Sequence, residues 1–282
     1  MSPARPAPPP AAAPLRRGFR RGFALALALL AGSSASAASA AAGGEEPPII
    51  AKARQFLGGE EALAKVRALR FIGTVNSFSG SAPPVSLVLT YQHPFRQRLV
   101  STSPSGVEVT GLDGEVGWRR IHEPRDLGKW RDESLDPAQV ARLRAGTFES
   151  LAFFRGIESV GGRLEHTGSA RVSGVSCERV VFHHGENLRF TRYFEAETGR
   201  LVKTETEDGT SVVEEGEQWV DGIRFPQRLV TSGRGADKRP SRFIVEFTQV
   251  QVNGDFPVAQ FARPAPAPAP ATPPPAPAPA KR

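Results

Sequence analysis

Cysteine and methionine each occur once in these 282 residues, tyrosine twice and histidine five times. With Cys177 alone, no internal disulfide can form, so stability has to come from buried apolar surface. Metal ligands are equally scarce. His183 and His184 are adjacent on a predicted strand, where neighbouring side chains point to opposite faces and cannot share an ion, and no metal site is expected. The chain has no H-E-x-x-H helix and no G-x-S-x-G elbow, and Cys177 has no activating partner in its sequence surroundings. The glycines Gly111, Gly114 and Gly117 lack the spacing and the strand–turn–helix setting of a phosphate loop and read as a hairpin. No catalytic residue and no cofactor is expected, and the chain is not read as an enzyme. Long apolar runs are missing too: Phe23–Ala31 is far short of the ~20 residues a membrane-spanning helix needs.

That short run has another use. Arg16, Arg17, Arg20 and Arg21 precede it, and Ala35-Ser36-Ala37 and Ala38-Ser39-Ala40 follow it, each offering an A-x-A cleavage pattern. Residues 1–40 therefore read as an export signal that is removed from the mature protein. Arg16-Arg17-Gly18-Phe19 loosely resembles a twin-arginine signal, with ordinary secretion the favoured route.

The signal also distorts the charge. The whole chain carries 36 Lys and Arg against 29 Asp and Glu, but residues 1–40 hold five arginines and no acid, leaving 31 against 29, or +2. Apart from Lys281-Arg282 no basic block remains, so nucleic acid is not an expected partner. Residues 263–282 form an Ala-Pro tail that removes backbone donors and buries almost nothing, and it is expected to be extended and disordered.

Residues 41–262 read as one β-rich domain. Ile49, Ile50, Ala53, Phe56 and Leu57 share a helical face, Gly58-Gly59 breaks it, and Leu63, Val66 and Leu69 resume it. Beyond Phe71 the period is 2. Val85, Leu87, Leu89 and Tyr91 alternate with Ser86, Val88 and Thr90; Leu188, Phe190, Arg192 and Phe194 alternate with Arg189, Thr191, Tyr193 and Glu195. Ser105-Gly106, Asp113-Gly114, Thr198-Gly199, Asp208-Gly209, Asp221-Gly222 and Asn253-Gly254 mark hairpin turns of an antiparallel meander. One later helix begins at Asp136-Pro137 and carries Val140, Leu143, Leu151 and Phe154 on one face with Phe148 at its edge, cut in its middle by Gly146. It reads either as a movable cover or as a plain core helix. Glu205, Glu207, Asp208, Glu214, Glu215 and Glu217 read as solvated strand charges, and Trp118, Trp130 and Trp219 as core or hairpin anchors.

In order, the Gly-Gly helix, Phe71-Ile72-Gly73, Tyr91-Gln92-His93-Pro94, Asp113-Gly114 with Gly117-Trp118, the middle helix, Tyr193–Gly199 and Asp221–Pro226 resemble the outer-membrane lipoprotein-sorting, LolA-like superfamily across Pro47 to Phe261. The resemblance implies a mainly β fold: a strongly curved antiparallel sheet forming an open half-barrel covered by helices. It also implies a non-enzymatic periplasmic carrier of a lipid or an acylated protein, with an inner- or outer-membrane partner protein. An envelope regulator or scaffold that binds a protein through the same fold is the alternative. The groove would be lined by Leu87, Leu89, Tyr91, Phe148, Leu151 and Phe154, unless these residues fill a solid core. Dedicated carriers place a basic residue before the strand-end proline to hold the cover closed; His93 stands at that place here, which makes it a candidate latch sensitive to pH.

Overall fold

The computed structural model describes residues 46–265 except 79, 81 and 236–238. The export signal and nearly all of the Ala-Pro tail lie outside the described residues.

Helix α1 (Pro48–Leu57) starts on a proline at its first position, where the missing N–H costs nothing, and ends at Gly58 with φ +139°. A Cβ on Gly58 would lie 2.2 Å from the Gly222 carbonyl oxygen, so glycine is required there by contact as well as by conformation. A short α2 (Glu60–Ala64) follows. The first six strands are β1 (Ala68–Ser77), β2 (Val85–Gln92), β3 (Arg96–Ser103), β4 (Gly106–Asp113), β5 (Val116–Glu123) and β6 (Asp126–Ser134). Helix α3 (Pro137–Ala152) comes next. It leads to β7 (Arg163–Val172), β8 (Val175–His184), β9 (Leu188–Glu195), β10 (Leu201–Thr206) and β11 (Ser211–Glu215). A small hairpin, β12 (Gln218–Val220) and β13 (Ile223–Phe225), precedes β14 (Arg228–Arg234) and β15 (Pro240–Val252).

Among the described residues, thirteen strands form one antiparallel sheet in the order β6-β5-β4-β3-β2-β1-β15-β14-β11-β10-β9-β8-β7. Its edges, β6 and β7, are not paired with each other, so the sheet is not closed into a barrel. It is nevertheless curled. Thr147 on α3 bonds Gln97 on β3 at 3.1 Å, while Glu149, two residues on, bonds Arg192 on β9 at 2.5 Å. Seven strand spacings separate β3 from β9, roughly 34 Å along a flat sheet. One helix can meet both only if the sheet bends around it.

Helix α3 differs from its sequence reading in two ways. It runs unbroken through Gly146, because a reciprocal capping box between Asp136 and Gln139 fastens its start and the buried contact of Thr147 anchors its centre. Those interactions outweigh the roughly 1 kcal/mol that an interior glycine costs. It also stops at Ala152. Phe153 and Phe154 have φ of 49° and 69°, so Phe154 lies beyond the helix and packs instead near Phe182 and Phe194, with ring centroids at 6.0 and 5.1 Å.

The turn residues behave as expected at Gly106, Gly114, Gly199, Gly209 and Gly222, all with positive φ. Asn253-Gly254 does not make a hairpin. Asn253 Oδ1 accepts from the backbone of Arg67 at 2.6 Å and its Nδ2 donates to Lys65, tying the end of β15 to the start of β1. The core has two large clusters and a small third one of Ala68, Phe256 and Phe261: Leu87, Leu89 and Leu151 belong to one with β1, β13 and β15, while Ile50, Phe182, Phe190 and Phe194 form the other beneath α1. Trp118 is buried against Gly111 and donates its Nε1–H to the Phe261 carbonyl at 2.9 Å. None of the described helices is long and apolar enough to cross a membrane, which says nothing of strands.

Candidate functional site

The two core clusters do not meet. Between them lies a cavity of ≈ 510 Å³, within the range of small-molecule sites. One wall is aromatic: Phe71 of β1 stands edge-on to Tyr91 (6.4 Å) and Phe225 (5.8 Å), beside Phe247 at 5.0 Å. Phe56 and Leu57 of α1 and Phe153 and Phe154 after α3 also line the cavity. Tight packing sets the position of α1: a Cβ on Gly199 would fall 2.6 Å from the Ala53 nitrogen.

Of the residues expected to line a groove, Leu89, Tyr91 and Phe154 face this cavity. Leu87 and Leu151 are buried in the first core cluster, and Phe148 packs against the second and lies edge-on to His184. Burial pushes the Tyr91 phenol up, with Ser150 on α3 opposing that in part. His93 sits outside the cavity, half-buried on the turn between β2 and β3. Burial and then the cations Arg67 and Arg155 hold its imidazole below the ordinary range. Arg155 ties the end of α3 to α2, donating to the carbonyl oxygens of Ala152 and Leu63, both at 3.0 Å.

Three charged residues that sequence reasoning did not assign to a site, Glu149, Arg192 and Glu214, line the cavity. Glu149 of α3 accepts from Arg192 of β9 and contacts His184 of β8, both at 2.5 Å; the Glu149 and Arg192 side chains are only 5% and 7% exposed. Burial alone would raise the Glu149 carboxyl, but the Arg192 charge and the His184 hydrogen bond keep it below its ordinary value. The Arg192 guanidinium also lies over the Phe182 ring at 4.3 Å. A signal for this was present, since an arginine among Leu188, Phe190 and Phe194 on one strand face requires a buried carboxylate partner. Glu214 of β11 was read as a solvated charge, and the structure corrects that. It shares the inner face of its strand with Val212, and burial pushes its carboxyl up to about 7 against the attraction of Arg192 and Arg200.

Other expectations can be placed directly. His183 and His184 point apart, one to Glu165 at 2.8 Å and the other to Glu149. Cys177 is fully buried, and burial raises its thiol, the opposite of an activated nucleophile. Among the described residues no three metal-ligating side chains cluster.

No protein-family model and no curated protein matches the chain. Among solved structures it is similar to a LolA superfamily protein from Nitrosomonas europaea, at 11% identity and a TM-score of 0.49, covering 76% of this chain and 96% of that one. It is similar also to a DUF1329 family protein from Desulfovibrio piger, at 10% identity and a TM-score of 0.48, covering 76% and 95%. A third is the Mycobacterium tuberculosis lipoprotein LppX, at 11% identity and a TM-score of 0.27, covering 76% and 100%.

Proposed function

We propose that residues 41–262 form an exported, periplasmic domain that binds the apolar chain of a lipid or of an acylated protein without chemical change, and carries it between membrane partners. The observation that supports this best is the ≈ 510 Å³ cavity with its aromatic wall, left between two filled cores. In this reading α1 and α3 cover the concave side of the sheet, and Leu89, Tyr91 and Phe154 contact the chain. Leu87, Leu151 and Phe148 support that wall from behind.

The energetics favour a site graded by chain length. Each methylene removed from water contributes about 0.8 kcal/mol, so ten give roughly 8 kcal/mol gross, against several kcal/mol lost on association. Saturated alcohols of increasing length are expected to bind about fifteenfold tighter per two added carbons until the cavity is full, as isothermal titration calorimetry would show. An affinity indifferent to length would count against an apolar chain as the ligand.

The latch assigned to His93 can be tested in the same assay. Its charged neighbours Arg67 and Arg155 are both cationic, so protonation there adds repulsion rather than a bond. His93→Ala is expected to leave ligand retention unchanged between about pH 5.5 and about pH 8. Faster release by the variant only at the acidic end would restore the latch.

The deciding experiment is native mass spectrometry of the mature protein purified from its own periplasm without detergent, followed by lipid extraction. A discrete adduct with the mass of a phospholipid or acylated peptide is the expected result. A bare mass that stays bare on lipid titration would favour the envelope regulator that binds a protein partner.

A further inference from the structure

The charges lining the cavity are paired, with one exception. Glu149 is held by Arg192 and His184, Glu215 pairs with Arg228, and Glu217 pairs with Arg224. Arg200 bonds Glu195 at 3.3 Å. Arg192 Nε has no hydrogen-bond partner, yet it is shut off from solvent and its guanidinium is packed over Phe182. Glu214 alone among these groups faces the cavity with no hydrogen bond or ion pair to another described residue. Across the ladder it sits opposite Leu229, which also lines the cavity.

A carboxyl group turned, partly buried, into a largely apolar cavity is costly to ionise unless something pairs with it. The protein supplies nothing to do so, although Arg192 and Arg200 are near enough to act on it through charge. Building on the chain-binding function proposed above, we infer that Glu214 is the polar end of the site and selects an amphiphile whose apolar chain ends in a primary ammonium group. The chain would lie against Phe71, Leu89 and Phe247, and the ammonium would donate to the Glu214 carboxylate, forming a charge-assisted hydrogen bond in a water-poor site.

The sign of the pH dependence follows. Free Glu214 is about half protonated near neutrality, with its charge suppressed by burial and only partly favoured by Arg192 of β9 and Arg200 of the β9–β10 turn. Glu149 on α3, Glu215 on the same strand and Glu217 beyond it are each held by their own cations. A cationic head requires the ionised form, so its binding expels a proton and strengthens as pH rises from about 5.5 to about 8. An anionic head would show the reverse.

The test compares dodecylamine, dodecanol and dodecanoate, all below micelle formation, by calorimetry on the full mature chain and on Glu214→Gln. The amine is expected to bind at least about tenfold tighter than the alcohol at about pH 8, with that advantage shrinking at about pH 5.5. Glu214→Gln should abolish both the advantage and its pH dependence, the amine being read in each protein against that protein's own dodecanol affinity. Dodecyl phosphoethanolamine serves to identify the source: the same Glu214-dependent gain points to a lipid headgroup, and a gain confined to dodecylamine points to a free amine. If dodecanol binds but the amine gains nothing, or gains equally in the variant, the inference about Glu214 is overturned and the chain-binding function stands. If no probe binds, both fail. Matching thermal unfolding of the unliganded parent and variant near about pH 4.5, where the cost of ionising Glu214 is absent, guards against reading a fold defect as lost selectivity.

Discussion

Glu149→Ala is expected to lower the unfolding free energy by about 3–5 kcal/mol at neutral pH, the usual penalty for removing one partner of a buried ion pair. Most of the loss comes from what remains. Arg192 would keep its charge among Phe182, Phe190 and Phe154 with no carboxylate, and α3 would lose its link to the strands on the far side of the curl. For a domain of this size the midpoint of thermal melting should fall by roughly ten degrees. Urea unfolding followed by far-ultraviolet circular dichroism would measure it, and a loss under about 1 kcal/mol would mean that the triad does not hold the helix. A double replacement by methionine at Glu149 and Arg192 is expected to recover most of the stability, since no charge is then left unpaired. The pH sign is that of a depressed carboxylate. Its contribution is present above the ordinary value near 4.5 and is lost as pH falls through the lower value of the folded state.

Glu214→Gln is expected to act in the opposite direction. In the folded protein this carboxyl is raised from an ordinary 4.5 to about 7, which corresponds to roughly 3 kcal/mol of penalty once it ionises. Because the group faces a cavity that water can enter, 3 kcal/mol is the upper bound. For a raised acid the penalty is absent below about 4.5, grows as pH climbs, and is complete above about 7. The amide carries no such penalty, so unliganded Glu214→Gln should match the parent near pH 4.5 and exceed it by up to about 3 kcal/mol near pH 8. Equal stability at both values would show that the carboxylate finds a partner in the folded chain. Together the two glutamates should make the unliganded protein most stable in mildly acidic solution.

Much of this architecture was legible because the sheet is buried on one face. Leu87, Leu89 and Tyr91 alternate with their neighbours, and all three turn inward. The start of α3 was equally clear, since Asp136-Pro137 caps a helix by local chemistry alone. Depth was not legible. Leu87 and Leu89 have the same periodicity, yet Leu87 lies in the core and Leu89 reaches the cavity, a difference set by how far the sheet bends. Phe154 misled because a helical stripe assumes a continuing helix, whereas two residues in left-handed conformation redirect it. Glu149 and Arg192 lie 43 positions apart, so the apolar face around Arg192 calls for a buried acid without saying which one. Glu214 was misread for a simpler reason: an acid on a short strand is usually solvated, and only the alternation of Val212 with Glu214 hinted at an inner face.

The central seam of the sheet joins β1 to β15, pairing Leu69 with Val252 and Ser77 with Phe243. These two strands bracket almost the whole domain in sequence, so the middle of the sheet is the last part that synthesis can complete. Until residues 240–252 have emerged, β1 has its β2 neighbour but an open edge on the other side, and β14 has β11 but likewise lacks its inner partner. Such long-range pairing makes for slow folding and leaves strand edges exposed meanwhile. A chain built this way has to be kept from pairing with its neighbours during biogenesis, and truncation within β15 would leave two unfinished half-sheets rather than a slightly smaller domain.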